Sequence, residues 1–447
     1  MSREHEKGFL KGALWIASGG FLAKLIGAVY RIPLTNLIGG RGLGLYQLVY
    51  PVYCLLLTVS ATGIPSSIAK LTAEKIGRGQ STAPLFRSAM KLFLLIGVTG
   101  SVIMVSVAPF LAKAQGSESV VAGYYALAPS VVLVSAISVF RGWFQGQNDM
   151  APTAFSEVSE QIVKVGFGLL FAYLYRGNIE KAVVFLLLSV SLSELFTLFL
   201  MFLLFKREKN ADKKQKGGGR YAMKHILMMS IPVTFASLLL PLSGLVDSVL
   251  VPRFLSVYAA EPVTLYGLFA GGAVTVINLP VSVCYGLAAA SVPRVSAACA
   301  QGREGRKLAR KRILSALLFT AIISGIAAIG LQWFAQPAAK IIFRSLQEEE
   351  LKTLTKLIEG FSLSAFTLSC AQTLSACLTA QGKPQYGALS MLIGVVVKTA
   401  LYPLWLTKPE ISIYGLVRAT NACYLLVFAI NLLFNLVLTR KKGKNWT

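Results

Sequence analysis

The chain has 447 residues, of which 55% are hydrophobic and 14% charged, and its mean hydropathy is +0.64. Soluble domains carry about a quarter of their residues as Asp, Glu, Lys and Arg, so the composition excludes a soluble enzyme, a disordered chain and a secreted disulfide scaffold. A formal net charge of +25 would suit nucleic acid, but the basic residues crowd into short connectors between apolar stretches, which excludes that partner and points to a membrane.

A spanning helix takes about 20 mainly apolar residues. About twelve such segments follow one another: 9–33, 43–69, 89–111, 120–143, 152–175, 179–205, 225–251, 263–292, 313–333, 355–380, 385–406 and 411–438. The first has the basic flank of a signal peptide (Lys7, Lys11). Its length, its Lys24 and Arg31 and the lack of a small-residue cleavage site make it a spanning helix instead. GGRGLG at 39–44 follows no strand, so it is expected to be a turn between the first two helices and not a dinucleotide fingerprint.

The largest hydrophilic break is KREKNADKKQKGGGR at 206–220, a charged, glycine-containing linker. It divides the chain into an N-terminal six-helix lobe (1–205), a basic cytoplasmic linker (206–224) and a C-terminal six-helix lobe (225–447). Basic clusters at 206–224, 294–312 and 440–444, together with Arg3, Lys7, Lys11 and Arg141, lie on one predicted side, and the run Glu348–Glu350 on the other. The positive-inside rule then places both termini in the cytoplasm of a multi-pass protein.

The halves share a local pattern. Gln145-Gly146, Ala154, Ser156, Val163 and Lys164, at the expected fifth helix, recur as Gln381-Gly382, Ala388, Ser390, Val397 and Lys398 at the eleventh, with a constant offset of 234 from Ala154 onward. An even number of helices per half gives parallel repeats related by an axis along the membrane normal, with substrate between them near the midplane. The expected fold class is therefore an all-α integral membrane protein with two pseudo-symmetric lobes around a central cavity, a transporter architecture.

Ionisable groups at bilayer depth are costly and mark pathways or partners. Lys24 and Arg31 lie two turns apart on one face of the first helix. Lys164 has Glu160 one turn before it, in the favourable order for a self-neutralising pair. Lys398 has no acidic neighbour on its own helix and needs another helix, a water-filled cavity or an anion. Asp247 lies deep in the seventh helix, with Arg253 just after the Val251-Pro252 break, and Glu194 has only serines nearby. Lys24, Arg31, Lys164, Arg253 and Lys398 are the candidate substrate-binding residues. Glu160, Glu194 and Asp247 are candidates for charge pairing or for coupling to a sodium ion or proton. The six cysteines form no CxxC, the two histidines lie near helix ends, and no Walker lysine motif occurs, so neither a metal, a cofactor, a catalytic site nor an ATP motor is expected.

Three runs resemble a known family: YRIPLTNLIGGRGLGLYQLVYPVYCLLLTVSATGIPSSIAKLTAEK, FRGWFQGQNDMAPTAFSEVSEQIVKV and SIPVTFASLLLPLSGLVDSVLVPRFL. They are similar to the stage V sporulation protein B-like polysaccharide transporters, within the superfamily of multidrug, oligosaccharidyl-lipid and polysaccharide exporters. The resemblance implies a V-shaped cavity between two lobes and flipping of undecaprenyl-diphosphate-linked sugars across the bacterial plasma membrane, with membrane lipids as surroundings and a monomer as the working unit. Lys24 and Arg31 match the basic cavity residues that lipid II flippases carry on helix one. The arginine those flippases carry on helix two has no counterpart in YPVYCLLLTVSATGIP, and many members have fourteen helices. The competing readings are a cation-coupled multidrug exporter of the same fold, which would use Asp247 or Glu194, and a membrane glycosyltransferase, for which no general base is apparent.

Overall fold

The computed structural model describes residues 3–209, 226–228, 230, 234 and 237–440, and every regular element among them is helical. The predicted linker lies outside the described residues from 210 onward, as does part of the predicted seventh span. Nine stretches of the described residues are long and apolar enough to cross a membrane. The first runs from Ser18 to Gly77 and takes in the two opening spans together. The helix after residue 150 is excluded from that set by its own charges, Glu157, Glu160 and Lys164.

The chain divides into two compact units. One comprises residues 1–38 and 48–245, the other residues 39–47 and 246–447. Helix α1 (Arg3–Leu57) belongs to both and breaks at Gly39, whose φ of 65° and ψ of −172° are non-helical. The expected turn at GGRGLG is therefore this break. The chain resumes helix at once, because Gly40 and Gly44 let backbones meet. A Cβ on Gly44 would stand 2.1 Å from the Val263 carbonyl oxygen.

In the first unit, a π turn (Thr58–Thr62) leads into α2 (Ile64–Gly77). Then follow α3 (Ala83–Ala114), α4 (Val121–Gly146), α5 (Ala151–Leu174) and α6 (Ile179–Lys209). Helix α4 is the buried one, flanked by α2, α3 and α6. Its Phe140, Trp143 and Phe144 pack with Ile68 and Leu71 of α2 and Leu85 and Phe93 of α3. Trp143 Nε1 donates to Thr82 Oγ1 at 3.1 Å, which satisfies the one polar atom in that cluster's indole.

The second unit contains α7 (Leu239–Leu255), which begins in the first unit and ends in the second, and α8 (Pro262–Gly267). A second π turn (Leu268–Ala273) precedes α9 (Val274–Cys299). The remaining helices are α10 (Gly302–Ile342), α11 (Glu348–Ala380), α12 (Pro384–Ala400), α13 (Tyr402–Trp405) and α14 (Tyr414–Arg440). Here α11 is the buried helix, packed by α9, α10 and α14. It opens with a capping box between Gln347 and Glu350.

The repeated sequence pattern thus falls at one structural position in each unit. Gln145-Gly146 and Gln381 each close a buried helix (α4, α11), and the next helix begins with proline in its first turn. The Gln-Gly pair ends the fourth helix of its set instead of opening the fifth, because a residue in the left-handed region follows, Asn148 (φ 62°) in one case and Gly382 itself (φ 74°) in the other.

Filling the tight approach at Gly44 should be costly. Gly44→Ala is expected to destabilise the second unit by about 1–3 kcal/mol and to lower the Tm of the detergent-solubilised protein. Gly166→Ala on α5 meets nothing within 4 Å and is expected to leave Tm unchanged or raise it slightly.

Candidate functional site

Each unit carries ionisable side chains inside its spans, and the two sets are resolved differently. In the second unit, Lys398 of α12 donates from Nζ to Asp247 Oδ2 of α7 at 2.7 Å. Tyr402, which opens α13, donates its hydroxyl to Asp247 Oδ1. Lys398 is 4% exposed and Tyr402 fully buried. Both carboxylate oxygens are therefore occupied by donors from other helices, which is how a buried ion pair offsets its desolvation. Of the alternatives open to Lys398, the structure adopts the interhelical one. Arg253 stands apart from this group, exposed in the last turn of α7.

The first unit holds a larger polar set. Arg141 of α4 donates from Nε to Ser156 Oγ at 3.0 Å and from Nη2 to Glu160 Oε2 at 3.0 Å, both on α5. Arg141, counted from the sequence only toward the basic side, is thus a part-buried clamp between spans. The direct partner of Glu160 is therefore Arg141 of the neighbouring helix, through Nη2 alone, and not Lys164 one turn along its own helix. Lys164 has no ion pair or hydrogen bond among the described residues. It is half-buried and lies within electrostatic range of Glu160, Arg31, Glu194 and Cys54. Arg31, on α1, adds a like charge to that neighbourhood.

Glu194 of α6 is 1% exposed and accepts a hydrogen bond from Tyr53 Oη of α1. Its other oxygen, Oε2, has no hydrogen-bond partner among the described residues. Ser130 and Ser191 hydrogen-bond each other at 2.9 Å nearby. Lys24 lies on α1, but its side chain falls outside the described residues. Among the described residues no group of three His, Cys, Asp or Glu forms a metal cradle.

The sequence reading missed Tyr53, Tyr402 and Arg141. The signal for the tyrosines was weak but present: a phenol inside an apolar span needs an acceptor, and the buried acids Glu194 and Asp247 each serve one.

Solved membrane transporters share this chain arrangement. An inward-facing multidrug resistance MATE family transporter of the MOP superfamily matches with a TM-score of 0.80 at 16% identity, covering 93% of this chain and 94% of its own. The inward closed conformation of lipid II flippase MurJ matches with a TM-score of 0.72 at 13% identity, covering 97% and 94%. At such identities they establish the fold, that of a two-lobe, multi-pass membrane transporter. Residues 9–299 match the family described as polysaccharide biosynthesis protein, and residues 232–404 match the MatE family. The chain belongs to the polysaccharide biosynthesis protein family, as the three sequence runs implied. Curated relatives in Bacillus subtilis (strain 168) include stage V sporulation protein B, 27% identical over 421 residues, with 91% of this chain and 79% of the relative covered. Lipid II flippase MurJ of the same organism is 22% identical over 423 residues, with 88% and 76% covered.

Removing one member of the second unit's pair strands the other. Lys398→Met is expected to cost about 3–5 kcal/mol, read as a fall in Tm. The double variant Asp247→Asn/Lys398→Met is expected to recover most of that loss. Equal Tm values for the single and double variants would show that the pair is not energetically coupled.

Proposed function

We propose that this protein flips an undecaprenyl-diphosphate-linked saccharide across the bacterial plasma membrane by alternating access between lobes 1–205 and 225–447, acting as a monomer with both termini and the 206–224 linker in the cytoplasm. The observation that carries the reading is the state of Lys164. This lysine on a spanning helix makes no ion pair or hydrogen bond among the described residues, and Glu160, the acid one turn before it, pairs directly with Arg141, so Lys164 feels Glu160 and Glu194 only at a distance. A half-buried ammonium without a direct partner is costly, and an anion that reaches it is held strongly. A diphosphate supplies more than one negative charge and several acceptor oxygens. The family relationship and the lipid II flippase among the curated relatives support the same substrate class.

The residues then divide by role. Lys164 and Arg31 contact the diphosphate, and Lys24 and Arg253 remain further basic candidates for substrate binding. Lys398 and Asp247 hold the second unit together, and Arg141 and Glu160 hold α4 to α5. Glu194, held by Tyr53, takes up a proton or sodium ion if an ion gradient rather than membrane potential drives the cycle. No bond in the substrate changes, so the protein is a transporter and not an enzyme.

A second reading has its own support. A multidrug transporter shares the fold with a TM-score of 0.80, and a buried carboxylate with an unused oxygen, Glu194, suits a cation-coupled exporter.

Proteoliposomes containing a fluorescent lipid II analogue separate the two. The parent is expected to expose the analogue to quencher, Lys164→Ala to lower the initial rate about tenfold or more by loss of one charge-assisted contact, and covalent mass analysis to show unchanged lipid. Transport of a cationic dye that is abolished by Glu194→Gln and indifferent to Lys164→Ala would establish the exporter instead.

A further inference from the structure

The first unit contains an open apolar groove whose lining includes none of the charged set. Phe86, Met90 and Leu94 of α3 form one wall, Leu195, Leu198, Phe199, Phe202 and Phe205 of α6 the other, and Ala136 and Phe140 of α4 the floor. Its volume is about 540 Å³, within the roughly 300–1,000 Å³ of ligand pockets. The floor is sealed, with Ala136 and Phe140 buried, while the lip residues Leu195, Phe199 and Phe202 are more than 40% exposed. One end is closed by stacked rings: Phe86 and Phe205 lie 4.4 Å apart, and Phe140 meets both at 5.2 Å and 5.4 Å.

Exposed basic residues flank that closed end. Arg87 and Lys91 follow the groove residues Phe86 and Met90 on α3, and Lys206 and Arg207 follow Phe205 on α6. All four are exposed, and none makes an ion pair among the described residues. On α6 the groove positions 195, 198, 199, 202 and 205 are spaced three or four apart, and position 206 continues the same stripe. The lining is thus hydrocarbon along its length and cationic at one mouth, complementary to a molecule with one long apolar chain and a polyanionic head.

We propose that this groove between α3, α4 and α6 is a binding site for the isoprenoid tail of a polyprenyl diphosphate, with Arg87, Lys91, Lys206 and Arg207 receiving the diphosphate before or after translocation. This rests on the reading of the chain as a flippase for such lipids. An isoprenoid carries flat trisubstituted double bonds and methyl branches in every repeat, which pack on ring faces better than a freely flexing acyl chain does. A single groove also holds one tail, whereas a phospholipid has two. Four cations exceed what the single phosphate of an ordinary anionic phospholipid requires.

The test uses the full-length protein in lipid nanodiscs with a polyprenyl diphosphate bearing a diazirine in its tail, and peptide mapping after irradiation. Label is expected on 86–94 and 195–205. Unlabelled undecaprenyl diphosphate should compete it away, and phosphatidylglycerol at the same mole fraction should not. Phe199→Ala/Phe202→Ala removes two exposed rings without touching the core and is expected to weaken labelling about tenfold. Lys206→Gln/Arg207→Gln is expected to weaken it while leaving the labelled positions unchanged. Equal competition by phosphatidylglycerol, or label spread evenly over other lipid-facing helices such as α10, would overturn the proposal. A protein that flips the lipid II analogue but leaves the groove unlabelled would overturn it too, with the flippase reading intact. Specific groove labelling without any flipping would uphold the tail site and remove that reading instead.

Discussion

An ionisable group at bilayer depth must find its counter-charge on another helix, and the polar architecture of both units follows from that requirement. In lipid, apolar helices gain no hydrophobic free energy by meeting one another, so van der Waals packing and interhelical polar contacts hold the bundle. Asp247 binds α7 to α12 through Lys398 and to α13 through Tyr402. Arg141 binds α4 to α5 through Ser156 and Glu160. Glu194 binds α6 to α1 through Tyr53. Each acid joins elements that are distant in sequence, so each contact also selects which helices neighbour one another.

The same constraint governs the backbone. Irregular main chain is tolerated inside a membrane only where its polar groups are satisfied. The π turn at Leu268–Ala273 widens the helix, and the carbonyl of Ala270 is taken by Gln47 Nε2 at 2.8 Å. Gln47 ends the stretch 39–47 that α1 contributes to the second unit. The glycines at 40 and 44 bring that stretch close enough for the contact, and Gly39 supplies the break that admits it. A hydrophilic-looking, glycine-rich turn in the sequence is therefore a packed piece of the second unit's interior.

Segment periodicity and length made the helices legible, and GGRGLG correctly marked the break in α1. The basic residues within spans were also legible, because a charge in an apolar run is conspicuous. The partner of each was not. The rule for residues one helical turn apart assigned Glu160 to Lys164, yet Arg141 lies on a different helix and wins by geometry. Lys398 and Asp247 are 151 residues apart, and no local pattern links them. Nor does local sequence show that α1 serves both units, since the residues responsible, Gly44 and Gln47, act through a tight approach and one hydrogen bond made far along the chain.

The pair of lysines at matching places in the repeat shows how one scaffold gives two chemistries. Lys164 and Lys398 each follow a conserved spacing from a buried serine, Ser156 or Ser390, in the helix after the buried one. In the second unit Asp247 neutralises the lysine, and the serine bonds to Asn431 at 2.6 Å. In the first unit the serine is taken by Arg141, and the acid one turn before the lysine pairs with the same guanidinium. Replacing a neutral serine partner (Asn431) by a cationic one (Arg141) brings a positive charge into the first unit, and Glu160, whose counterpart one repeat later is Gly394, brings the acid that answers it. Lys164 therefore shares the field of Glu160 with Arg141 and makes no direct ion pair among the described residues, whereas Lys398 is closed on Asp247. The same lysine position thus serves in one half as a tie between helices and in the other as a charge held only at a distance, a difference set by which residues the neighbouring helices supply and not by the repeat itself.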